Sequence, residues 1–200
     1  MALVGCTVLS VDEDKAIRGR RSGDLDPTAY VGRLWAKQAV PALDAAAVPL
    51  PVLMSAMSRD LDAAGRSYGR RAGEDSAWTF VVKGSGRISS VDTTSPHGHI
   101  MVALGSDQGG REVQIQLGPV VEGSAVRDAL PFVSFDDFAD QLSFADVGRA
   151  LTSRALAGVR PIAAQLQAGQ VVSFTGVVNV RDARDPLIVT PTALVVAHVR

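Results

Sequence analysis

The clearest alternation of apolar and polar residues in the chain is found in Arg111-Glu112-Val113-Gln114-Ile115-Gln116-Leu117, and this pattern indicates a β-strand. Successive side chains of a β-strand point to opposite faces of its sheet, so Val113, Ile115 and Leu117 share one face. We expect these three side chains to be buried together with three others of similar spacing in later segments: Val172, Phe174 and Leu194.

Further strand patterns lie on both sides of this stretch. The segments before it that are rich in β-branched and aromatic residues are 78–83, 86–92 and 99–104. The middle of the chain after Gly118 is helical. Ser143 and Asp146 make a capping-box-like start of a helix that ends at about Ala157. Two long β-stretches follow at 170–180 and 187–199. Apart from one additional strand segment before the helix, this order is that of an OB-fold, a five-stranded Greek-key barrel with a helix between strands three and four.

The part of the chain before the strands reads as helical. Asp26-Pro27 is a helix start, and Pro41 is expected to end or kink that helix. A second helix is predicted from about residue 51 to residue 64, with Gly65 as its stop.

The predicted fold class is therefore α+β, with N-terminal helices packed on a C-terminal five-stranded OB-like Greek-key barrel. Its expected parts are a lipobox remnant and polar tether, a helical region, and a barrel domain with inserted helices, over residues 1–24, 25–77 and 78–200. The alternative is another small α+β sandwich built from the same elements.

Composition excludes several classes of protein. The chain has 200 residues, of which 46% are hydrophobic, and this is enough apolar material for a real core. Twenty basic residues stand against 21 acidic ones and aromatics make up only 5%, so neither a basic stripe nor a base-stacking platform for nucleic acid is expected. A single cysteine allows no intrachain disulfide and no thiolate metal cluster.

The position of that cysteine is informative. Leu3-Val4-Gly5-Cys6 resembles the lipobox of bacterial lipoproteins, and the polar segment 10–23 that follows suits a tether to a membrane. We therefore predict lipidation at Cys6. A signal peptide needs an apolar stretch of roughly 7–15 residues, so we expect the natural start to lie further upstream. The alternative is that Cys6 is an ordinary small hydrophobic residue.

Several segments together resemble one known family. They are residues 64–71, 78–84, 118–133, 135–138 and 147–151. The chain is similar there to predicted periplasmic lipoproteins, domain of unknown function 2291, and the likeness extends from the Cys6 box to the strand at 171–176. The resemblance implies a lipid-anchored envelope location. It also implies a link to carbohydrate uptake, since genes of this family often lie beside sugar ABC-transporter genes, and it supplies no catalytic residues.

The polar side of the predicted barrel strands is a candidate binding face. OB barrels bind ligands across strands two and three and the flanking loops. Amides and imidazoles suit sugar hydroxyls, because these groups supply both donors and acceptors. The residues predicted to bind a ligand are Arg87, His97, His99, Gln114 and Gln116.

The histidines also allow a metal-site interpretation. His97 and His99 lie two residues apart on a strand, and Asp92 or His198 would have to supply a third ligand. A polar strand edge explains the same pattern, so we expect no metal and no cofactor.

An acidic and aromatic segment in the middle of the chain is a candidate docking surface for a transporter component. It consists of Phe135, Asp136, Asp137 and Phe138. With Asp140, the aspartates could form an acid–base pair or bind calcium, but their spacing does not match an EF-hand loop. The first turn of a helix also favours aspartate, because it complements the helix dipole.

A hydrolase interpretation starts from Ser124, Arg127 and Asp128, but no Gly-x-Ser-x-Gly elbow is present and no histidine lies in a motif beside them. Helix capping and ion pairing explain these residues better. Together with the family resemblance, which implies the link to carbohydrate uptake, the sequence predicts a membrane-anchored, non-catalytic envelope lipoprotein that assists this uptake through ligand or partner binding. The alternative is an envelope hydrolase that acts on a glycan or an ester.

Overall fold

The computed structural model describes residues 26–105, 110–121 and 123–197. Its first part is mainly helical. The helical segments are α1 (Pro27–Leu34), a π-helical turn (Trp35–Ala39), α2 (Val40–Ala46), α3 (Leu50–Arg59) and α4 (Leu61–Tyr68). Two short strands accompany them, β1 (Val48–Pro49) and β2 (Gly69–Arg70).

The second part contains the long strands and the remaining helices. The strands are β3 (Trp78–Asp92), β4 (His99–Ala103), β5 (Glu112–Gln116), β6 (Val171–Val180) and β7 (Ile188–Val196). Between β5 and β6 lie α5 (Ala125–Asp128), a 3-10 turn (Phe135–Asp137), α6 (Gln141–Ala157) and α7 (Arg160–Ala163).

These five strands close into a barrel. Antiparallel pairs join β3 to β4, β4 to β5, β7 to β6 and β6 back to β3, and a parallel pair joins β5 to β7. Strand β3 makes closure possible because its first half, residues 78–87, pairs with β6 while residues 87–92 pair with β4. The predicted α+β fold with an OB-like barrel is confirmed, and the inserted helices follow the third barrel strand as expected.

Strand β3 unites two segments that the sequence pattern separated, 78–83 and 86–92. A Cβ atom on Gly86 would lie 2.4 Å from the carbonyl oxygen of Ala103, and one on Gly84 would lie 2.9 Å from a ring carbon of Phe174. Real Cβ atoms are not found that close to a backbone oxygen, so this part of the strand needs glycine.

The barrel interior is the first of two hydrophobic cores. Val113, Ile115 and Leu117 are all buried, at 1%, 0% and 5% exposure. They belong to one cluster with the three residues predicted to join them, which confirms the expectation from the alternating pattern: Val172, Phe174 and Leu194.

The second core lies between the outer surface of the barrel and the helices. Val81 of β3 and Val177 of β6 face outward and pack with residues from α1, α2, α5 and α6. Phe80 and Val82 instead join the barrel interior, together with Leu50 and other residues of α3. Residues 78–82 are buried on both faces, which explains why this segment is apolar except for Thr79 and does not alternate.

The N-terminal helices differ from their prediction in two places. Pro41 does not end its helix; the π-helical turn before it widens the backbone, and Val40 donates its N–H to Trp35 five residues back. The predicted helix from 51 to 64 is two helices, because Asp60 is extended and caps α4 by accepting from the Ala63 N–H at 2.9 Å.

Two further helix ends also depart from the sequence patterns. Gly65 is inside α4 and is not a helix stop. Helix α6 ends at Ala157 as expected, but its N-cap is Asp140, which precedes the predicted start at Ser143. Within the described ranges, none of the helices combines the length and the apolar character that crossing a bilayer requires.

Candidate ligand-binding site

A polar concavity lies on the outer surface of the barrel, where β5, β7 and β6 are neighbours. Its volume is about 480 Å³, which lies within the usual range for small-molecule sites. The residues that line it are His97, Gln114, Gln116, Ala125, Asn179, Ile188 and Thr190.

Strand alternation places the two glutamines in this concavity. Val113 and Ile115 of β5 point into the barrel, so Gln114 and Gln116 point away from it. The parallel partner β7 places Ile188 beside Gln114 in register, and the Gln114 N–H donates to the Leu187 carbonyl at 3.0 Å. The glutamines therefore form one wall of the concavity, next to the apolar side chain of Ile188.

Two buried threonine hydroxyls hold amide groups at the concavity. Gln116 Nε2 donates to Thr190 Oγ1 at 3.1 Å, and Thr79 Oγ1 donates to Asn179 Oδ1 at 2.8 Å. Thr190 and Thr79 are only 3% and 4% exposed. These four residues lie on β5, β7, β6 and β3, four strands that are adjacent in the barrel, and we call them the polar row.

The polar row leaves defined groups for a ligand. With its Nε2 bonded to Thr190, Gln116 keeps its Oε1 as an acceptor, and Asn179 keeps its Nδ2 as a donor. Among the described residues that line the concavity, none is Asp, Glu, Lys or Arg. The concavity therefore has both donors and acceptors without a fixed charge.

His97 reaches the concavity from the loop between β3 and β4. This loop docks on the end of β5, because the Gly98 carbonyl accepts from the N–H groups of Leu117 and Gly118, both at 2.8 Å. A Cβ atom on Gly118 would lie 2.4 Å from the Pro96 oxygen. The close backbone contact fixes the exposed His97 at the edge of the site.

Asp92 stabilises the same loop from its other end. Its Oδ1 accepts from the N–H groups of Thr94 and Ser95 at 3.0 and 3.1 Å. Hydrogen bonds from Ser95 and Thr94 to the charged form lower the Asp92 pKa from 3.8 to about 2. The carboxylate therefore has a structural role in the loop that carries His97.

Two residues predicted to bind the ligand do not line the concavity, and this corrects the expectation. Arg87 donates from Nη1 to the Gly169 carbonyl at 2.5 Å, so its side chain fastens the segment before β6. His99 lies opposite Gln116 in the ladder, but its Nδ1 is 3.2 Å from the His97 carbonyl oxygen and its side chain lies outside the site. The structure brings together three of the five predicted residues: His97, Gln114 and Gln116.

Among the residues that the structure describes, the same histidines have no group of further ligands of the kind that a metal site needs. His198, one of the proposed third ligands, lies outside the described residues. Asp92, the other, is engaged by backbone N–H groups of its own loop. Within the described part of the chain, no three His, Cys, Asp or Glu side chains are grouped as metal ligands would be.

The predicted docking segment divides into a buried and an exposed part. Phe138 is 7% exposed and packs in the second core, with its ring centroid 5.5 Å from Phe144 and 5.9 Å from Tyr30, so it is not available to a partner. This corrects the prediction for Phe138. Phe135 is 50% exposed and lies edge-on to Phe144 at 5.6 Å. Burial of the phenol raises the pKa of Tyr30.

The aspartates of this segment are largely used as helix caps. Asp137 accepts from the Ser134 N–H at 3.0 Å and completes a capping box. Asp140 accepts from the Ser143 N–H at 2.7 Å, and this bond lowers its pKa. Asp136 is exposed. Capping accounts for Asp137 and Asp140 without calcium or acid–base chemistry.

Ser124, Arg127 and Asp128 form a local network that fastens α5 to α6. Ser124 Oγ donates to Asp128 Oδ2 at 2.5 Å, and Arg127 donates to the other carboxylate oxygen at 2.7 and 2.9 Å. The Arg127 guanidinium also stacks 3.8 Å from the centroid of the Phe144 ring in α6. The contacts are those of a structural ion pair at a helix junction.

Sequence reasoning missed four residues that build the site: Thr79, Asn179, Ile188 and Thr190. They lie on strands whose neighbours depend on barrel closure, which no local pattern reveals. One signal was present, since Asn179 is the only asparagine of the chain and interrupts the otherwise apolar end of β6, residues 176–180. A lone amide in such a strand indicates a polar partner or a ligand.

The strand order, barrel closure and inserted helices define an α+β protein of the OB-fold class. An OB-fold protein from Thermotoga maritima, solved at 1.90 Å resolution, matches with a TM-score of 0.72 and 17% identity, over 87% of this chain and 99% of that chain. Two OBodies bound to hen egg-white lysozyme match with TM-scores of 0.32 and 0.31, at 15% and 14% identity. They cover 62% and 59% of this chain and 82% and 79% of their own.

The family model for predicted periplasmic lipoproteins, domain of unknown function 2291, matches residues 1–195, and the chain belongs to that family. The predicted location in the cell envelope is confirmed by this membership. Cys6 lies within the matched residues but outside those that the structure describes. No curated protein matches the chain.

Proposed function

We propose that this envelope lipoprotein is a non-catalytic accessory of sugar uptake that binds a carbohydrate in the polar concavity. The observation that carries the proposal is the polar row, in which buried Thr79 and Thr190 hold the amides of Asn179 and Gln116. Lipidation at Cys6 would anchor the protein on the outer side of the cytoplasmic membrane or elsewhere in the periplasm. The role in uptake is supported by the resemblance to a family whose genes often lie beside sugar ABC-transporter genes.

A carbohydrate fits the chemistry of the concavity better than other ligand classes do. Sugar hydroxyls both donate and accept, and the concavity has amides, an imidazole and a hydroxyl that do the same. Gln114 and Gln116 lie on the third barrel strand, which belongs to the surface that OB-folds use for oligosaccharides. A nucleic acid would instead need a basic surface, which these lining residues do not provide.

The test is a calorimetric titration with a sugar found by a thermal-shift screen. The double variant Gln114→Ala with Gln116→Ala should weaken binding by about tenfold or more, since each lost hydrogen bond contributes about 1 kcal/mol. It should also lower the free energy of unfolding by about 1 kcal/mol, because the buried Thr190 hydroxyl loses its partner.

The matched control replaces two exposed glutamines that do not line the concavity, Gln38→Ala with Gln141→Ala. It should bind the sugar as the wild type does. Equal affinities for all three proteins would show that the sugar binds elsewhere, and the proposed site would be abandoned.

A second candidate function is docking onto a transporter component through the exposed part of the acidic and aromatic segment. Phe135 is half exposed beside the exposed Asp136, so an apolar contact with an acidic rim is open to a partner. Chemical cross-linking in cells expressing the transporter should lose its product with Phe135→Ser and keep it with Leu142→Ser, a change at another exposed apolar residue. If the cross-linked product persists with both variants, docking through Phe135 would be excluded.

The alternative of an envelope hydrolase rests on the hydrogen bond from Ser124 to Asp128. We favour a structural role because Arg127 binds the same carboxylate. The assay is hydrolysis of chromogenic esters and glycosides by the wild type and by Ser124→Ala. Turnover that disappears with Ser124→Ala would establish the hydrolase and overturn the non-catalytic proposal.

A further inference from the structure

We infer that the concavity selects an uncharged sugar unit, and that the hydrogen bonds of the buried Thr79 and Thr190 hydroxyls hold the Asn179 and Gln116 amides in place for it. The inference rests on the proposed function, because it concerns the ligand of the same concavity. It adds the chemical class of that ligand and assigns a positioning role to two residues that the ligand does not have to touch.

The hydrogen bonds within the polar row leave one amide donor group and one amide acceptor free for a ligand. Thr79 donates to Asn179 Oδ1, so the Asn179 Nδ2 donors remain for the ligand; Gln116 donates to Thr190, so its Oε1 acceptor remains. A hydroxyl group can satisfy both, because it donates and accepts. A carboxylate only accepts, so it cannot use the Gln116 Oε1 acceptor. An ammonium only donates, so it cannot use the Asn179 N–H donors.

A charged ligand would meet no opposite charge among the described residues that line the concavity. A charged group that leaves water needs an opposite charge in the site, otherwise the loss of hydration opposes binding. The described residues that line the concavity have no carboxylate, ammonium or guanidinium to provide that charge. A neutral sugar unit does not incur this loss, so it is favoured over its acidic and amino counterparts.

The wall of the concavity also has an apolar part. Ile188 is 43% exposed and lies next to Gln114, and Ala125 lines the concavity at the start of α5. A sugar ring has C–H groups as well as hydroxyls, and it can place them against these side chains while its hydroxyls meet the amides. A site with apolar walls and a few directed polar groups is the usual form of a small-molecule site.

The experiment compares three ligands by calorimetry on the complete chain: a neutral hexose, the uronic acid that replaces its CH₂OH by a carboxylate, and the amino sugar that replaces one hydroxyl by an ammonium. The neutral hexose should bind at least tenfold more tightly than either charged form. Equal or tighter binding of a charged form, while Gln116→Ala still weakens it, would overturn the inference and leave the proposed function intact. If none of the three ligands binds, and no neutral oligosaccharide built from the same hexose binds either, both the inference and the proposed function would be overturned.

Variants of Thr79 test its positioning role. Thr79→Val removes the hydroxyl and frees the Asn179 amide, so the affinity for the neutral hexose should fall severalfold. The ratio of the affinities for the neutral hexose and the uronic acid should also become smaller. Thr79→Ser keeps a hydroxyl and should restore both the affinity and the selectivity. Thr152→Val, a change at a buried threonine that does not line this concavity, is the matched control and should alter neither. A Thr79→Val protein that is less stable but equally selective would show that Thr79 is only structural.

Discussion

At position 65 only glycine fits, because a side chain from another element, that of Trp78, packs against the backbone there. A Cβ atom there would lie 2.1 Å from the Trp78 ring, so the indole packs directly against the backbone of α4. The Trp78 ring is held in place by its Nε1 bond to Asp62 at 2.8 Å and by the Arg71 guanidinium 4.5 Å from its centroid. From sequence alone, a glycine at this point resembles a helix stop, because the contact with Trp78 cannot be seen.

The first prediction follows from this contact. Gly65→Ala should lower the free energy of unfolding by about 1–3 kcal/mol or more, the usual effect of overpacking, although alanine favours helix. Gly32→Ala in α1 is the matched control: nothing lies within 4 Å of the position that a Cβ atom would take there, so it should stabilise by roughly 0.5–1 kcal/mol. Urea unfolding measures the free energy of unfolding of both variants. Equal effects of the two changes would contradict the close contact between Trp78 and the backbone at Gly65.

Thr152 gives a second prediction at the residue scale. Its hydroxyl is buried and has no hydrogen-bond partner among the described residues, whereas the equally buried Thr190 accepts from Gln116. Thr152→Val should raise the free energy of unfolding by about 1 kcal/mol, because an unpaired buried hydroxyl is removed. Thr190→Val should lower it by a similar amount. If both changes destabilise to the same degree in urea, the Thr152 hydroxyl has a partner after all.

At the scale of the elements, local patterns identified strands better than helix ends. The alternation in β5 predicted which of its side chains are buried, because the pattern reflects one face in the barrel and one outside it. The break at Asp60 was not predicted because the apolar spacing from Leu53 through Met57 to Leu61 continues across it, and the π-helical turn before Pro41 was not predicted either. The residues on the other strands of the site were missed because the parallel pairing of β5 with β7 is not local.

The loop between β3 and β4 gives a prediction about pH. The Asp92 pKa is lowered from 3.8 to about 2 in the folded protein, so its contribution to stability is present above about pH 4 and is lost as the pH falls through 2. Wild type should therefore be more stable than Asp92→Asn at neutral pH, with a difference that shrinks between about pH 4 and pH 2. Urea titrations at several pH values measure it; a difference independent of pH would show that the charge of Asp92 is not involved.

At the scale of the whole molecule, β3 connects two cores that lie on its opposite faces. Its side chains Phe80 and Val82 belong to the barrel interior, while Val81 belongs to the core under the helices. The sequence predicted the barrel and the presence of covering helices, because strand order and helix position are visible along the chain. It did not predict the polar concavity, since four strands have to be brought together before Gln116, Thr190, Asn179 and Thr79 form a row.

The proposed lipid anchor at Cys6 concerns the location of the whole molecule. Cys6→Ser, expressed behind a lipoprotein signal peptide, should move the protein from the membrane fraction to the soluble fraction, because two acyl chains are needed for a firm anchor. Mass spectrometry of the mature N-terminal peptide should find a diacylglyceryl group on wild-type Cys6. A free thiol on a membrane-associated wild-type protein would contradict the proposed anchor.

The binding of a sugar in the polar concavity is tested most directly by the side-chain amide signals of the glutamines and asparagine in a ¹H–¹⁵N NMR titration. Adding a neutral sugar that binds should shift the NH₂ signals of Gln114, Gln116 and Asn179, and should leave the exposed Gln38 amide unchanged. A titration in which the sugar binds without moving any of the three concavity amides, or in which no neutral sugar binds, would contradict the proposal.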